Sequence, residues 1–402
     1  MKILIINSLY APNIIGGAEI SSQKLAEGLR AADHEVFVLA TGNEDSQEIL
    51  NGVSIIRRRF SNIMSFWDFK HGPTLKRILY KILDVYNPLN EKEVTKVLRE
   101  IKPDVIHLNT IYGITPVVWE CAAKMNIPVV QTLRDYYFMC PRANLLHRNG
   151  CECSEKINSI CKMFRCFHIQ KAQKINAVTA PSCYTLNRFI NAGYFKNAYK
   201  QVIYNAIDFK MDRLKEMAEL RLRKRSNEVH VVYIGSFIET KGIQFLLDAV
   251  KLTPNNVVFH FAGKGAMLPD IERTAKDTGR VVVEGFLNEQ ELLSLLEKMD
   301  LLVCPSIWAE PFGRVVIDAY KSYLPVVVTN CGGLPELVED GITGMIIVPN
   351  DPDAIAEGIM KVARWEFTEE RRKGFDRKLN EFSIETQVDK FVELYHTVTQ
   401  GQ

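Results

Sequence analysis

Short apolar runs alternate with amphipathic stretches along the chain, and most runs end in glycine or polar residues. Residues 2–7 form the first run, followed by a loop over 8–15, the pair Gly16-Gly17, a helical pattern carrying Leu25 and Leu29, and a second run over 35–40. Runs of this length bounded by turn residues predict buried strands, and apolar positions three and four apart predict helices packed on them. The alternation continues with a helix over 94–101 and strands over 102–109, 127–132, 176–182 and 201–208. After a charged stretch it restarts, with strands over 229–235, 257–263, 280–285, 301–305 and 324–329, and helices that include 243–250 and 314–322. Strands alternating with helices imply an α/β fold with a parallel sheet in each half.

Length divides this pattern into domains. A chain of 402 residues exceeds what one hydrophobic core usually serves. The expected partition is an N-terminal domain over 1–208, a linker over 209–228, a second domain over 229–383, and a last helix over 384–398 that returns to the first. A hydrophobic share of 47% is ordinary for a globular protein, and a net charge of +2 gives no reason to expect a nucleic-acid partner. The opening apolar run is too short for a signal segment or a membrane span, and nine scattered cysteines suggest reduced thiols, so a cytoplasmic protein is expected.

Candidate chemistry gathers at strand ends. In an open parallel sheet ligands lie beyond the carboxyl ends of the strands, where helix N-termini offer N–H groups and partial positive charge. The stretch 306–318 follows a buried strand and holds Glu310, then Phe312, Gly313 and Arg314 at a helix start, then Asp318. Asp318 has a plainer reading as the partner of Arg314 four residues back. Lys241 follows the first strand of the second half and suits a phosphate, or is a solvated loop lysine. In the first half one strand delivers Arg134 and Asp135 to the same kind of edge, and His107 ends another as a hydrogen-bonded structural histidine. Gly16-Gly17 lacks the spacing of a dinucleotide fingerprint; it is either a close-approach point for a ligand or a tight turn.

Two further clusters stand apart from the strand ends. Over 57–86, Arg57, Arg58 and Arg59 precede Phe66, Trp67 and Phe69, and then a helix with Leu75, Ile78, Leu79, Ile82, Leu83 and Tyr86 on one face. The stripe either packs on the protein's own core or, with Lys76, Arg77 and Lys81 beside it, meets an anionic membrane or lipid-linked substrate as a peripheral contact. Cys140, Cys151, Cys153, Cys161 and Cys166, with His147 and His168, form a cysteine-rich cluster without a C-x-x-C pair, to be read as free thiols or as a metal or iron–sulfur site.

The second half carries, in order, Gly235-Ser236, Lys241-Gly242, Gly263-Lys264-Gly265, Gly285-Phe286, Pro305-Ser306, Glu310 to Gly313, Gly332-Gly333 and Asp340 to Gly344, and the first half adds Gly16-Gly17 and Glu19. As a set these resemble the motifs of retaining glycosyltransferases of family 4. The resemblance implies a GT-B fold, two Rossmann-like parallel-sheet domains facing across a cleft, the first binding the acceptor and the second the nucleotide-sugar donor. It implies transfer of a sugar from a UDP or GDP type donor to a glycan or lipid-linked acceptor, in cell-surface polysaccharide or glycoconjugate synthesis, with no cofactor; the chain is read as lacking a D-x-D metal motif, consistent with a metal-independent enzyme of this kind.

Carried over by position, Glu310 would hold the donor sugar, Asp318 the ribose, and Lys241 the diphosphate, with Gly16 and Gly17 over it. Phe312, Gly313, Arg314 and Val315 would give backbone contacts, and Gly285, Phe286 and Leu287 would lie by the base; Gly263 and Ser236 complete the donor set. Arg134 and Asp135 complete the catalytic set with Glu310 and Lys241. Three residues depart from the family pattern: Asp318 stands where a glutamate is usual, Ser236 where an arginine is usual, and Arg134 where many members have histidine. The alternatives are a catalytically idle GT-B module that binds nucleotide sugar or glycan, a nicotinamide-dependent enzyme, and a GT-B epimerase.

Overall fold

The computed structural model describes residues 1–65, 68–69, 72–146, 153, 157–223 and 227–401. The chain forms two compact units, Met1–Ala206 with Ile384–Gln402, and Ile207–Ser383.

The first unit is built on β1 (Lys2–Ile6), β2 (Glu35–Thr41), β3 (Ser46–Leu50), β4 (Val53–Arg58), β5 (Val105–Leu108), β6 (Val129–Thr132), β7 (Ala177–Ala180) and β8 (Tyr199–Val202). Their order across the sheet is β3-β4-β2-β1-β5-β6-β7-β8. β1 lies near the middle, and Ile3 to Ile6 are fully buried because helices cover both faces of a parallel sheet. The helix Gly17–Ala31 packs on β2 and on the C-terminal helix Ile384–Gln400. Gly28 permits that approach, since a Cβ there would stand 2.8 Å from methyl carbons of both Ile384 and Val388. β3 has no counterpart in the predicted elements: it is an antiparallel edge strand of mostly exposed residues, so no apolar run betrays it.

The second unit has β9 (Val229–Ser236), β10 (Val257–Lys264), β11 (Val281–Gly285), β12 (Leu301–Cys304), β13 (Val326–Thr329) and β14 (Gly344–Ile347). The order is β11-β10-β9-β12-β13-β14, parallel throughout. Val231, Phe259, Phe261 and Leu301 from the sheet meet Ile243, Leu246 and Ile355 from the covering helices in its core. Strand order reverses between β9 and β12 here, and between β1 and β5 in the first unit. Such switch points open a crevice at the carboxyl ends of the two strands.

At three stretches the structure corrects or adds to the sequence reading. The stretch 209–228, read as a linker, carries a helix, Met211–Arg223, belonging to the second unit. It is held by Arg221, whose buried guanidinium donates to the carbonyls of Ser322 (2.8 Å), Met299 (2.5 Å) and Leu296 (2.9 Å); burial lowers its pKa to about 10. Of the basic run, Arg57 and Arg58 are buried and Arg59 is exposed. Arg57 pairs with Glu48 at 2.8 Å and donates to the carbonyl of Ala11, and Arg58 is buried 3.0 Å from Glu93. Of the apolar stripe predicted here, Leu75, Ile78, Leu79 and Ile82 on the helix Thr74–Val85 are 42–68% exposed, Leu83 and Tyr86 are half-buried, and Tyr80 and Asp84 face inward. Phe66 and Trp67 lie outside the described residues. No helix among the described residues is long and apolar enough to cross a membrane.

Candidate active site

Lys241 and Glu310 meet at the switch point of the second unit. Lys241 closes the short turn Glu239–Lys241 after β9, and Glu310 lies in the loop after β12. The Thr240 carbonyl accepts the backbone N–H groups of Ile307 (3.2 Å) and Trp308 (3.1 Å), which fixes one loop against the other. Lys241 Nζ then lies 2.9 Å from Glu310 Oε1 and 5.1 Å from the centre of the Trp308 ring. Burial disfavours the ammonium, but the Glu310 charge and hydrogen bond more than offset it, so the lysine pKa is raised. The Lys241 side chain is 22% exposed and that of Glu310 11%.

Glycines set the backbone around this pair. Gly242 has φ 73°, and a Cβ there would fall 1.8 Å from the Pro305 carbonyl oxygen. On the other side Gly332 has φ 60°, and its Cβ would be 2.3 Å from the Glu310 carbonyl oxygen, which also accepts the Gly333 N–H at 2.7 Å. Glu310 is thus clamped by the loop after β13, a support that the sequence pattern signalled only as a pair of glycines. Trp308 and the Thr240 carbonyl gave no signal of their own.

Downstream, Gly313 has φ 109° and precedes the helix Arg314–Tyr320. This helix has only seven residues, against the predicted 314–322, so the dipole expected at its start is short. Phe312 is buried against Phe382 with ring centres 6.1 Å apart, and Val315 is half-buried. Asp318 is paired as its plainer reading supposed: Arg314 Nε lies at 3.5 Å, and Lys321 Nζ adds a second cation at 3.3 Å. Its side chain remains 15% exposed.

The other strand ends form one edge. Ser236 ends β9 exposed, and Lys264 is its register partner in β10. Lys264 Nζ stands 4.7 Å over the Phe286 ring, which is 73% exposed; Gly285 has φ 73° and Leu287 is half-buried. Gly263 has a packing reason: a Cβ would lie 1.9 Å from the Gly235 carbonyl oxygen. A D-x-D triplet does occur, Asp351-Pro352-Asp353, but Asp351 caps a helix by accepting the Ala354 N–H at 3.1 Å.

In the first unit Gly16 caps the helix Gly17–Ala31 and donates its N–H to Glu19 Oε2 at 2.7 Å. Its φ is −157°, so no unusual backbone requires the glycine. Nor does packing: a Cβ would meet only the Glu19 carboxylate, at an ordinary contact distance of 3.8 Å. At the adjoining edge Arg134 Nε donates to Asn109 Oδ1 at 2.8 Å, and a second guanidinium nitrogen reaches Asn205. Asp135 accepts from Tyr112 Oη (2.6 Å) and from the Tyr137 N–H (2.8 Å). Burial outweighs both hydrogen bonds and raises its pKa to about 6, with the Glu19 charge adding to the rise.

His107 is structural, as its lone position implied. Nδ1 is 2.6 Å from Tyr395 Oη and Nε2 is 2.7 Å from Thr132 Oγ1, and burial lowers its pKa to about 3, which leaves the ring neutral. Of the cysteine cluster, Cys140 is buried, Cys153 and Cys161 are half-buried and Cys166 is exposed; His168 is buried, with its pKa lowered to about 4. Cys151 and His147 lie outside the described residues. Among the described residues no three His, Cys, Asp or Glu side chains are grouped to hold a metal.

Comparison with known proteins agrees with this layout. Residues 15–210 match the model of "Glycosyltransferase Family 4", and residues 228–364 match that of "Glycosyl transferases group 1". A 42.6 kDa protein in the cps region of Klebsiella pneumoniae is 32% identical over 84% of this chain and 87% of its own. Anabaena HepE, solved with UDP, superposes with a TM-score of 0.69 at 21% identity over 99% of this chain and 100% of its own. Sucrose-phosphate synthase from Thermosynechococcus elongatus gives 0.73 at 20% identity over 100% of this chain and 99% of its own. With both sheets, their switch points and the motif glycines in place, the chain belongs to glycosyltransferase family 4 and is a glycosyltransferase of GT-B fold.

Proposed function

We propose that the protein transfers a sugar, with retention of anomeric configuration, from a nucleoside-diphosphate sugar to a hydroxyl of a glycan or lipid-linked acceptor in polysaccharide synthesis. The observation that carries this is the Lys241–Glu310 pair, 2.9 Å apart at the switch point of the second unit. A carboxylate there accepts hydrogen bonds from sugar hydroxyls, while the ammonium beside it meets a diphosphate. Fixed charge of this kind stabilises the negative charge that builds on the leaving diphosphate.

Ser236 leaves one expected cation missing, and Lys264, its register partner, supplies it in this reading. Arg314 adds charge near the diphosphate, and Asp318, oriented by Arg314 and Lys321, takes the ribose hydroxyls. From the first unit Gly16 and Gly17 give backbone access, and Arg134, braced by Asn109 and Asn205, meets the donor or acceptor. The leaving diphosphate itself accepts the acceptor proton on the face it vacates, so no covalent intermediate forms on the enzyme. HepE, whose structures hold UDP, UDP-glucose and glucose, supports a nucleotide-sugar donor by its fold.

The test is a panel of UDP-, GDP- and ADP-sugars, scored for binding and for release of the nucleoside diphosphate, followed by assignment of the product anomer. Release with retention is expected. Inversion would refute the mechanism, and nucleotide binding without any release would identify an idle binding module.

A further inference from the structure

The helix Thr74–Val85 presents its apolar face outward. Leu75, Ile78, Leu79 and Ile82 recur at helical spacing on one side and are 68%, 52%, 42% and 61% exposed. The opposite side, with Tyr80 and Asp84, is the buried one. On a helix that packs on its own core the two faces would be exchanged, so this stripe is not covered by the described residues of the unit.

The charges around the stripe say what covers it. At 100° per residue Lys76 falls on one flank of the stripe and Lys81 on the other, with the exposed Arg77 farther round the helix beyond Lys81. Lys81 Nζ donates to the Pro141 carbonyl at 3.2 Å, which draws Arg142 to the same side. Arg77 and Lys81 stand 5.3 and 5.8 Å from the centre of the Phe69 ring. Burial lowers the Lys81 pKa, with Arg77 and Arg142 adding to the fall and Cys140 and Asp84 opposing it. Asp84, on the buried side, is near enough to Lys81 to favour its charge, and no ion pair at 4.0 Å or less joins a described carboxylate to Lys76, Arg77, Lys81 or Arg142.

We propose that this helix lies in the surface of an anionic lipid bilayer, its four aliphatic side chains among the acyl chains and the flanking cations at the headgroups. Long basic side chains on both sides of an apolar stripe suit that interface, because their stems stay with the lipid while their charges reach the phosphates. A second copy of the chain fits less well, since symmetric pairing on this face would set the flanking cations against their own copies.

The test is co-sedimentation of the full chain with vesicles of phosphatidylcholine alone and with about one-third phosphatidylglycerol. Binding to the anionic vesicles is expected, weakening as salt rises from about 0.1 to 0.5 M. Ile78→Glu with Ile82→Glu should lower the partition coefficient at least about tenfold, and Lys76→Glu with Arg77→Glu should remove the preference for anionic lipid. Thermal melting of the variants and their release of nucleoside diphosphate from soluble donor should match the wild type. Equal binding to both vesicle types, or unchanged binding by Ile78→Glu with Ile82→Glu, would overturn the proposal. So would a wild-type dimer in sedimentation velocity that the same substitutions dissociate, without vesicle binding. Loss of donor chemistry with vesicle binding intact would count against the transferase reading only.

Discussion

Gly332 lies against Glu310 so closely that a Cβ would sit 2.3 Å from the Glu310 carbonyl oxygen, while the Glu310 side chain reaches Lys241 at 2.9 Å. One residue thus joins the loops after β9, β12 and β13. A carboxylate held by backbone on one side and by an ammonium on the other cannot move far, and such preorganisation is what a donor site needs.

Removing the cation tests the charge balance. Lys241→Met leaves the enclosed Glu310 carboxylate without its partner and should destabilise the protein by about 3 kcal/mol in urea unfolding. The same variant should lose at least about tenfold in affinity for a nucleoside diphosphate and far less for the nucleoside, measured by calorimetry. Equal losses for both ligands would remove Lys241 from the diphosphate.

Asp318 separates binding from turnover. Asp318→Ala frees Arg314 and Lys321 from their shared partner and should raise donor KM by about tenfold while lowering kcat much less. The opposite split in steady-state kinetics would end the ribose assignment.

Backbone strain gives a paired comparison. Gly242→Ala forces φ 73° on a residue whose Cβ would overlap the Pro305 carbonyl, so about 3 kcal/mol or more should be lost, together with donor binding. At Gly279, with φ 66° and nothing within 4 Å, the same change should cost about 1 kcal/mol and leave activity alone. Urea midpoints of the two variants check the difference.

Asp135 makes stability depend on pH. Its pKa is about 6 in the folded chain against an ordinary 3.8, so the folded state holds an extra proton between these values. The stabilisation is complete below about pH 4 and is lost as pH rises through 6. Asp135→Asn should therefore melt higher than wild type near pH 7.5, with the gap closing near pH 4.5; a gap independent of pH would show that the carboxyl titrates normally.

Much of this architecture was legible because buried parallel strands leave continuous apolar runs: β1, β5, β9, β10 and β12 each coincide with one. β3 was not, since an edge strand with exposed residues is specified by its partner β4 and not by its own pattern. Periodicity placed Leu75, Ile78, Leu79 and Ile82 on one face but could not say that the face points outward, because the packing of Tyr80 and Asp84 depends on residues far along the chain, among them Gly113 and Tyr137. Likewise the run of three arginines carries no local sign that Glu48 and Glu93 lie beside two of them. At the site, Glu310 and Lys241 were named separately, each as a partner for the donor. Their pairing across 69 residues depends on β9 lying next to β12, which no local signal reports.

The most direct test of the Lys241–Glu310 site is the rate of nucleoside diphosphate release by Glu310→Gln at saturating donor, using the sugar nucleotide that the wild type accepts. Nucleotide affinity should stay within about threefold and the release rate should fall at least about a hundredfold, because the amide removes the carboxylate that orients the sugar but leaves the diphosphate contacts in place. A release rate equal to that of the wild type would contradict the account.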